Sequence, residues 1–137
     1  MRTESLAAGL TLLKKKKARP ERKLEAFPNR SPDRRYTVTM VCPEFTCVCP
    51  LTGQPDFGTI TIHYIPDRKI LESKSLKLYL WSFREEGTFH EHVTNRILDD
   101  VVAALHPWYC KVTGAFNARG GISIVVEAVF DREKRGH

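Results

Sequence analysis

Three cysteines and two carboxylates crowd into one short stretch, from Cys42 through Glu44, Cys47 and Cys49 to Asp56. Thiols at that density suit either metal binding or nucleophilic chemistry. Zinc sites commonly take Cys pairs two to four residues apart, with a second Cys or His pair further on. Here Cys47 and Cys49 are two apart, Cys42 lies five before, and the remaining thiol, Cys110, is far along the chain. His90 and His92 could add imidazoles, but on a helix neighbours two apart point about 200° apart and cannot grip one ion. The expectation is therefore no metal site. Cys49 stands out because it lies among Pro50, Gly53 and Pro55, seven residues before Asp56 at the mouth of a strand. A reactive thiol needs partial exposure and a nearby group to manage protons, but a structural cysteine fits the same position, so position alone leaves both readings open. Cys42 and Cys110 read as small buried hydrophobes.

A second patch is Glu72-Ser73-Lys74-Ser75-Leu76-Lys77-Leu78-Tyr79, a strand end feeding a helix N-terminus with two serines and two lysines. Helix N-termini and lysines both favour phosphate. A capped amphipathic helix with solvated lysines has the same composition, so the patch alone leaves both readings open.

The elements that must position these residues follow from periodicity. Tyr36 to Val41 alternates in a strand-like way until Pro43, and Cys42 to Pro55 reads as a loop because four Pro and Gly residues interrupt it. Asp56 to Ile65 alternates strictly, with Gly58, Ile60, Ile62 and Tyr64 on one face. Pro66-Asp67-Arg68 is a turn into Lys69-Ile70-Leu71-Glu72, so a hairpin is expected there. Ser73 and Ser75 are suitable helix starters before Leu76, Leu80 and Phe83 at helical spacing. A second helix is expected from about Thr88 to His106, carrying the stripe Val93, Ile97, Val101 and Leu105, with Pro107 to stop it. Strands from Trp108 to Asn117 and Gly121 to Phe130 follow, turning at Gly120-Gly121. The order ββααββ predicts an α+β fold, an antiparallel sheet with two helices on one face. Its open face and edges call for association.

The net charge of +6 is unevenly spread. Residues 1–35 carry eleven Lys and Arg against four acids, a net of +7, and residues 36–137 carry eleven against twelve, a net of −1. The basic excess thus belongs to an N-terminal arm, 1–35, expected to be flexible, and the domain is 36–137. The apolar stretch Leu6 to Leu13 precedes the lysine run rather than following it, unlike a secretory signal. No stretch approaches the roughly 20 apolar residues of a membrane span. A cytoplasmic protein with reduced thiols is expected, binding neither membrane nor, directly, nucleic acid.

Taken together, Cys49-Pro50-Leu51-Thr52-Gly53-Gln54-Pro55-Asp56-Phe57 and the segment Glu72 to Tyr79 resemble the 7-cyano-7-deazaguanine reductases, the nitrile oxidoreductases of queuosine biosynthesis, in their short single-domain form. Phe89-His90-Glu91 and Arg119-Gly120-Gly121 look like the family's as well. The resemblance runs from about Tyr36 to the C-terminus. It implies the tunnelling fold shared with GTP cyclohydrolase I, with subunits joined edge to edge into a barrel as a homo-oligomer, expected to be a decamer of two stacked pentamers. It also implies Cys49 as nucleophile on the nitrile, Asp56 as proton donor, and NADPH as hydride source. Leu71, Glu72, Ser73, His90 and Glu91 would bind the deazaguanine, and Lys74, Lys77 and Arg119 the NADPH phosphates. No Gly-x-Gly-x-x-Gly segment is present, so a Rossmann cofactor site is not expected. The basic arm departs from the family core and has no implied catalytic role. Two alternatives compete: a zinc-dependent pterin or purine-ring hydrolase on the same fold, and a non-enzymatic RNA-associated module using the Lys-rich arm.

Overall fold

The alternating segments form a four-stranded antiparallel sheet in the computed structural model, which describes residues 18–134. Its strands are β2 (Val38–Val48), β3 (Pro55–Ile65), β5 (Tyr109–Arg119) and β6 (Ile122–Asp131), in the spatial order β2-β3-β5-β6. Two helices, α1 (Ser73–Trp81) and α2 (His90–Leu105), cover one face. Ile60, Ile62 and Tyr64 of β3 and Cys110, Val112 and Phe116 of β5 meet Leu76, Tyr79 and Leu80 of α1 and the stripe Val93, Ile97, Val101 and Leu105 of α2. The uncovered face and the edge strands keep Val41, Phe57, Val125 and Val129 exposed. His106 adopts a left-handed conformation (φ 47°) and Pro107 follows, which ends α2 as expected. Among the described residues no helix is long and apolar enough to cross a membrane.

Three expectations need correction. The stretch Cys42 to Pro55 is mostly strand, not loop: β2 continues to Val48 by absorbing Pro43 in a bulge between Cys42 and Phe45. An edge strand tolerates this because the missing N–H need not be paired. The hairpin expected at Pro66 does not form. Both neighbours of β3 are taken by β2 and β5, so β4 (Lys69–Leu71) pairs instead with β1 (Ala26–Pro28) in a separate two-stranded sheet.

That strand β1 lies in the segment expected to be a loose arm. From Glu21 onward the chain runs against α1: the guanidinium of Arg22 stacks 3.8 Å over Phe83, pairs with Glu86 at 2.7 Å and donates to Ser82. Asn29 donates to the Asp67 carbonyl and accepts from Tyr36, and Arg35 and Arg132 sandwich the Trp108 ring at 3.8 and 4.1 Å. Arginines that stack on aromatic faces give up little solvation, so a basic composition did not prevent packing. The run Lys14 to Lys17 lies outside the described residues.

Candidate active site

The loop between β2 and β3, residues 49–54, is closed by Cys49 N–H donating to the Gln54 carbonyl (2.8 Å) and Gly53 N–H donating to that of Cys49 (2.9 Å). Gly53 has φ +75°, a conformation that disfavours a side chain. The end of β2 is tied down on its other side, where Val48 N–H donates to the Glu86 carbonyl and Val48 accepts from Thr88. Cys49 is thereby held half-exposed on a fixed loop. The Thr52 hydroxyl, with the backbone N–H groups of Thr52 and Leu51, donates to its sulfur and holds the thiol below its ordinary 9.0, against the opposing influence of burial and of Asp56. Cys47 contrasts with it. It is fully buried opposite Asp56 in the ladder, and burial, reinforced by Asp56, pushes its thiol up to about 12. Burial raises Cys42 and takes Cys110 to about 12. All four thiols are free.

Asp56 is buried, 6 % exposed, and each carboxylate oxygen has a cationic or imidazole partner. Arg119 Nη1 donates to Oδ1 at 2.7 Å, and His90 Nε2 lies 3.2 Å from Oδ2. Arg119 also donates to the Gln54 side chain and the Pro55 carbonyl. His90 opens α2, its carbonyl accepting from the Thr94 hydroxyl (2.8 Å), and its ring stacks on Phe116 with centroids 3.9 Å apart and planes 3° from parallel. Glu91 follows in the first turn, where the helix dipole favours an acid, and is exposed.

The second sequence patch divides differently. Glu72, rather than either serine, caps α1, its carboxylate accepting from Lys74 N–H (2.8 Å) and Ser75 N–H (2.7 Å), which hold it below the usual carboxylate range. Leu71 is in the core, 2 % exposed, with its N–H bonded to the Tyr64 hydroxyl. Lys74 and Lys77 are exposed on α1. Ser73, Lys77, Trp81 and Arg84 face residues 40–46 of β2 across a groove of about 630 Å³. The structure therefore gathers Cys49, Asp56, His90 and Arg119 around the loop and leaves Ser73, Lys74 and Lys77 on α1. Arg119, expected beside the lysines, is engaged by Asp56. Sequence reasoning gave no role to Thr52 or Phe116. Thr52 sits inside the quoted motif, whereas only tertiary packing distinguishes Phe116 from any other apolar residue of its strand.

The His, Cys, Asp and Glu side chains of the described residues form no group of three that could hold a metal ion. The model of the QueF-like protein family matches residues 55–135. The chain is 69% identical over 123 residues to the NADPH-dependent 7-cyano-7-deazaguanine reductase of Syntrophus aciditrophicus (strain SB), covering 90% of this chain and 87% of that one. It is 62% identical over 110 residues to the protein of that name from Anaeromyxobacter sp. (strain Fw109-5), covering 80% and 90%. To that of Thermomicrobium roseum (strain ATCC 27502 / DSM 5159 / P-2) it is 56% identical over 117 residues, covering 85% and 91%. The crystal structure of an archaeosine synthase QueF-Like in the apo form superposes with a TM-score of 0.61 at 26% identity, covering 69% of this chain and 91% of that one. The fold, the family match and these identities agree: the chain belongs to the QueF-like family, among the NADPH-dependent 7-cyano-7-deazaguanine reductases.

Proposed function

We propose that the chain reduces the nitrile of 7-cyano-7-deazaguanine to the aminomethyl group in queuosine biosynthesis, with Cys49 as covalent nucleophile and Asp56 as proton carrier. One observation carries the assignment of roles: of the four cysteines, the one whose thiol is lowered stands on a fixed loop beside a buried carboxylate held at both oxygens. Asp56 takes the Cys49 proton, the thiolate adds to the nitrile carbon, and Asp56 returns the proton to the nitrogen, giving a thioimide with no net change in charge. Arg119 Nη1 and His90 Nε2 hold the two Asp56 oxygens in place for these transfers. NADPH, when bound, supplies hydride, two equivalents for the four electrons from nitrile to amine.

An anionic dinucleotide needs cations along an open groove; Lys77 of α1 and Arg84, just beyond its end, line one, and Lys74 is exposed on the first turn of α1. Arg119 is the weaker candidate because its guanidinium is committed to Asp56. For the purine-like ring, the exposed Glu91 offers a carboxylate to the donor edge, with His90 beside it in the motif, and Ser73 is the exposed candidate from the start of α1. Glu72 and Leu71 act through the helix cap and the core that support this region. Exposed Val41, Val125 and Val129 on the open sheet, whose outer strands β2 and β6 pair with no further strand among the described residues, support association into a barrel, for which two stacked pentamers is the expected form. A cytoplasmic location suits a thiol nucleophile that must stay reduced.

NADPH oxidation in the presence of 7-cyano-7-deazaguanine, followed spectrophotometrically, tests the activity directly. Consumption of two NADPH per aminomethyl product is expected, and no consumption refutes the reading. Sedimentation of the active enzyme as a monomer would refute the barrel.

A further inference from the structure

The flat contact between His90 and Phe116 is built by more residues than the two rings. Phe116 is 4 % exposed on β5, opposite Gly58 of β3 and two residues beyond Gly114. A Cβ on Gly114 would lie 2.8 Å from Phe116 Cε2 and 2.6 Å from Thr94 Oγ1, and one on Gly58 would lie 3.0 Å from Phe116 Cδ1 and 2.7 Å from the Ala115 carbonyl. Two positions without side chains thus make the slot in which the Phe116 ring lies, while Phe45 meets its edge at 74°. The slot presents one ring face to His90, and Thr94 fixes the His90 carbonyl. Immediately beyond Phe116, the register of β5 against β6 shifts before Arg119. Such a bulge re-aims a strand's side chains. The same strand end therefore delivers a ring beneath His90 and a guanidinium to the other oxygen of Asp56.

We propose that Phe116 is a positioning residue for the reduction: its face holds the imidazole plane so that Nε2 stays aimed at Asp56 Oδ2, completing the two-sided grip that begins with Arg119. The proposal rests on the reading of Asp56 as proton carrier. A parallel stack at 3.9 Å lets the imidazole slide but resists tilting, and a tilt would swing the N–H off the carboxylate plane. Small angular errors at a proton-transfer group are costly in rate.

The test is a cycle of Phe116→Leu, His90→Gln and the double variant, with single-turnover reduction of 7-cyano-7-deazaguanine measured at saturating NADPH. Phe116→Leu keeps apolar bulk but loses the flat face. It is expected to slow reduction about 10- to 100-fold with the KM for NADPH unchanged, and to cost less than about twofold when His90 is already Gln. An equal loss in both backgrounds would mean a purely structural role and overturn the proposal, as would an unaltered rate in a folded Phe116→Leu. Wild-type enzyme supplies a measurement independent of any variant: the His90 ring protons should resonate upfield by the ring current of Phe116. Unshifted resonances overturn the proposal even if Phe116→Leu fails to fold. Failure of the underlying reading is distinguishable, since Asp56→Asn would then retain full turnover.

Discussion

Alkylation of the four thiols by iodoacetamide discriminates the proposed nucleophile from its neighbour two residues away. At pH 7 a thiol at the ordinary 9.0 is about 1% ionised and one at about 12 is about 0.001% ionised, a difference of about 1,000-fold. The greater basicity of the Cys47 thiolate returns about 30-fold of this at a Brønsted slope of about 0.5, leaving Cys49 ahead by at least about 30-fold. Because Cys49 lies below 9.0 and Cys47 is fully buried, both remaining corrections widen the gap. Peptide mass spectrometry of partly alkylated protein should therefore find Cys49 labelled first. Its rate should rise with pH through a midpoint below 9.0 and then level, and Thr52→Val, which removes the leading donor to the sulfur, should move that midpoint upward. In parallel, protein mixed with 7-cyano-7-deazaguanine without NADPH should gain one substrate mass per subunit. Cys49→Ala should form no adduct, and Cys47→Ala should keep both adduct and activity. Labelling of Cys47 within threefold of Cys49, or an adduct on Cys47, would refute the reasoning.

Asp56→Asn should lower reduction by about 10²- to 10⁴-fold, the usual contribution of a positioned acid or base, while some adduct still forms without NADPH; pre-steady-state kinetics would show undiminished reduction if Asp56 carried no proton. Lys77→Ala should raise the KM for NADPH about tenfold with kcat little changed, whereas Arg119→Ala, acting on Asp56, should chiefly lower kcat; the reverse pattern in steady-state kinetics would move Arg119 back to the cofactor. Gly114→Ala should cost about 1–3 kcal/mol by overpacking against Thr94 and Phe116, and an unchanged melting temperature would contradict the close packing.

Residue order alone determined β3, β5, β6 and the two helices of this protein, but not the far half of β2 or the β1–β4 pair. The alternation from Asp56 to Ile65 and the Val93-Ile97-Val101-Leu105 stripe are local periods, each of which commits a whole element to one buried face, and both stand as read. The segment from Cys49 to Asp56 stands out because breakers, thiol and carboxylate all fall within eight residues, but its position alone leaves a structural thiol open, and the nucleophile role comes from the family resemblance. Pairings between distant segments were not legible. The Pro66 turn looks like a hairpin until β5 occupies the edge of β3, and the basic stretch before Tyr36 looks solvated until Phe83 and Trp108 offer Arg22 and Arg35 their faces. Arg119 illustrates the same limit at the site: an arginine suits phosphate or carboxylate equally well. Only the return of β5 alongside β3, 63 residues after Asp56, places its guanidinium on that carboxylate, and Phe116 beneath His90 follows from the same strand. Local chemistry is written in neighbouring residues, whereas a partner across the sheet depends on which edges remain open once the chain has packed.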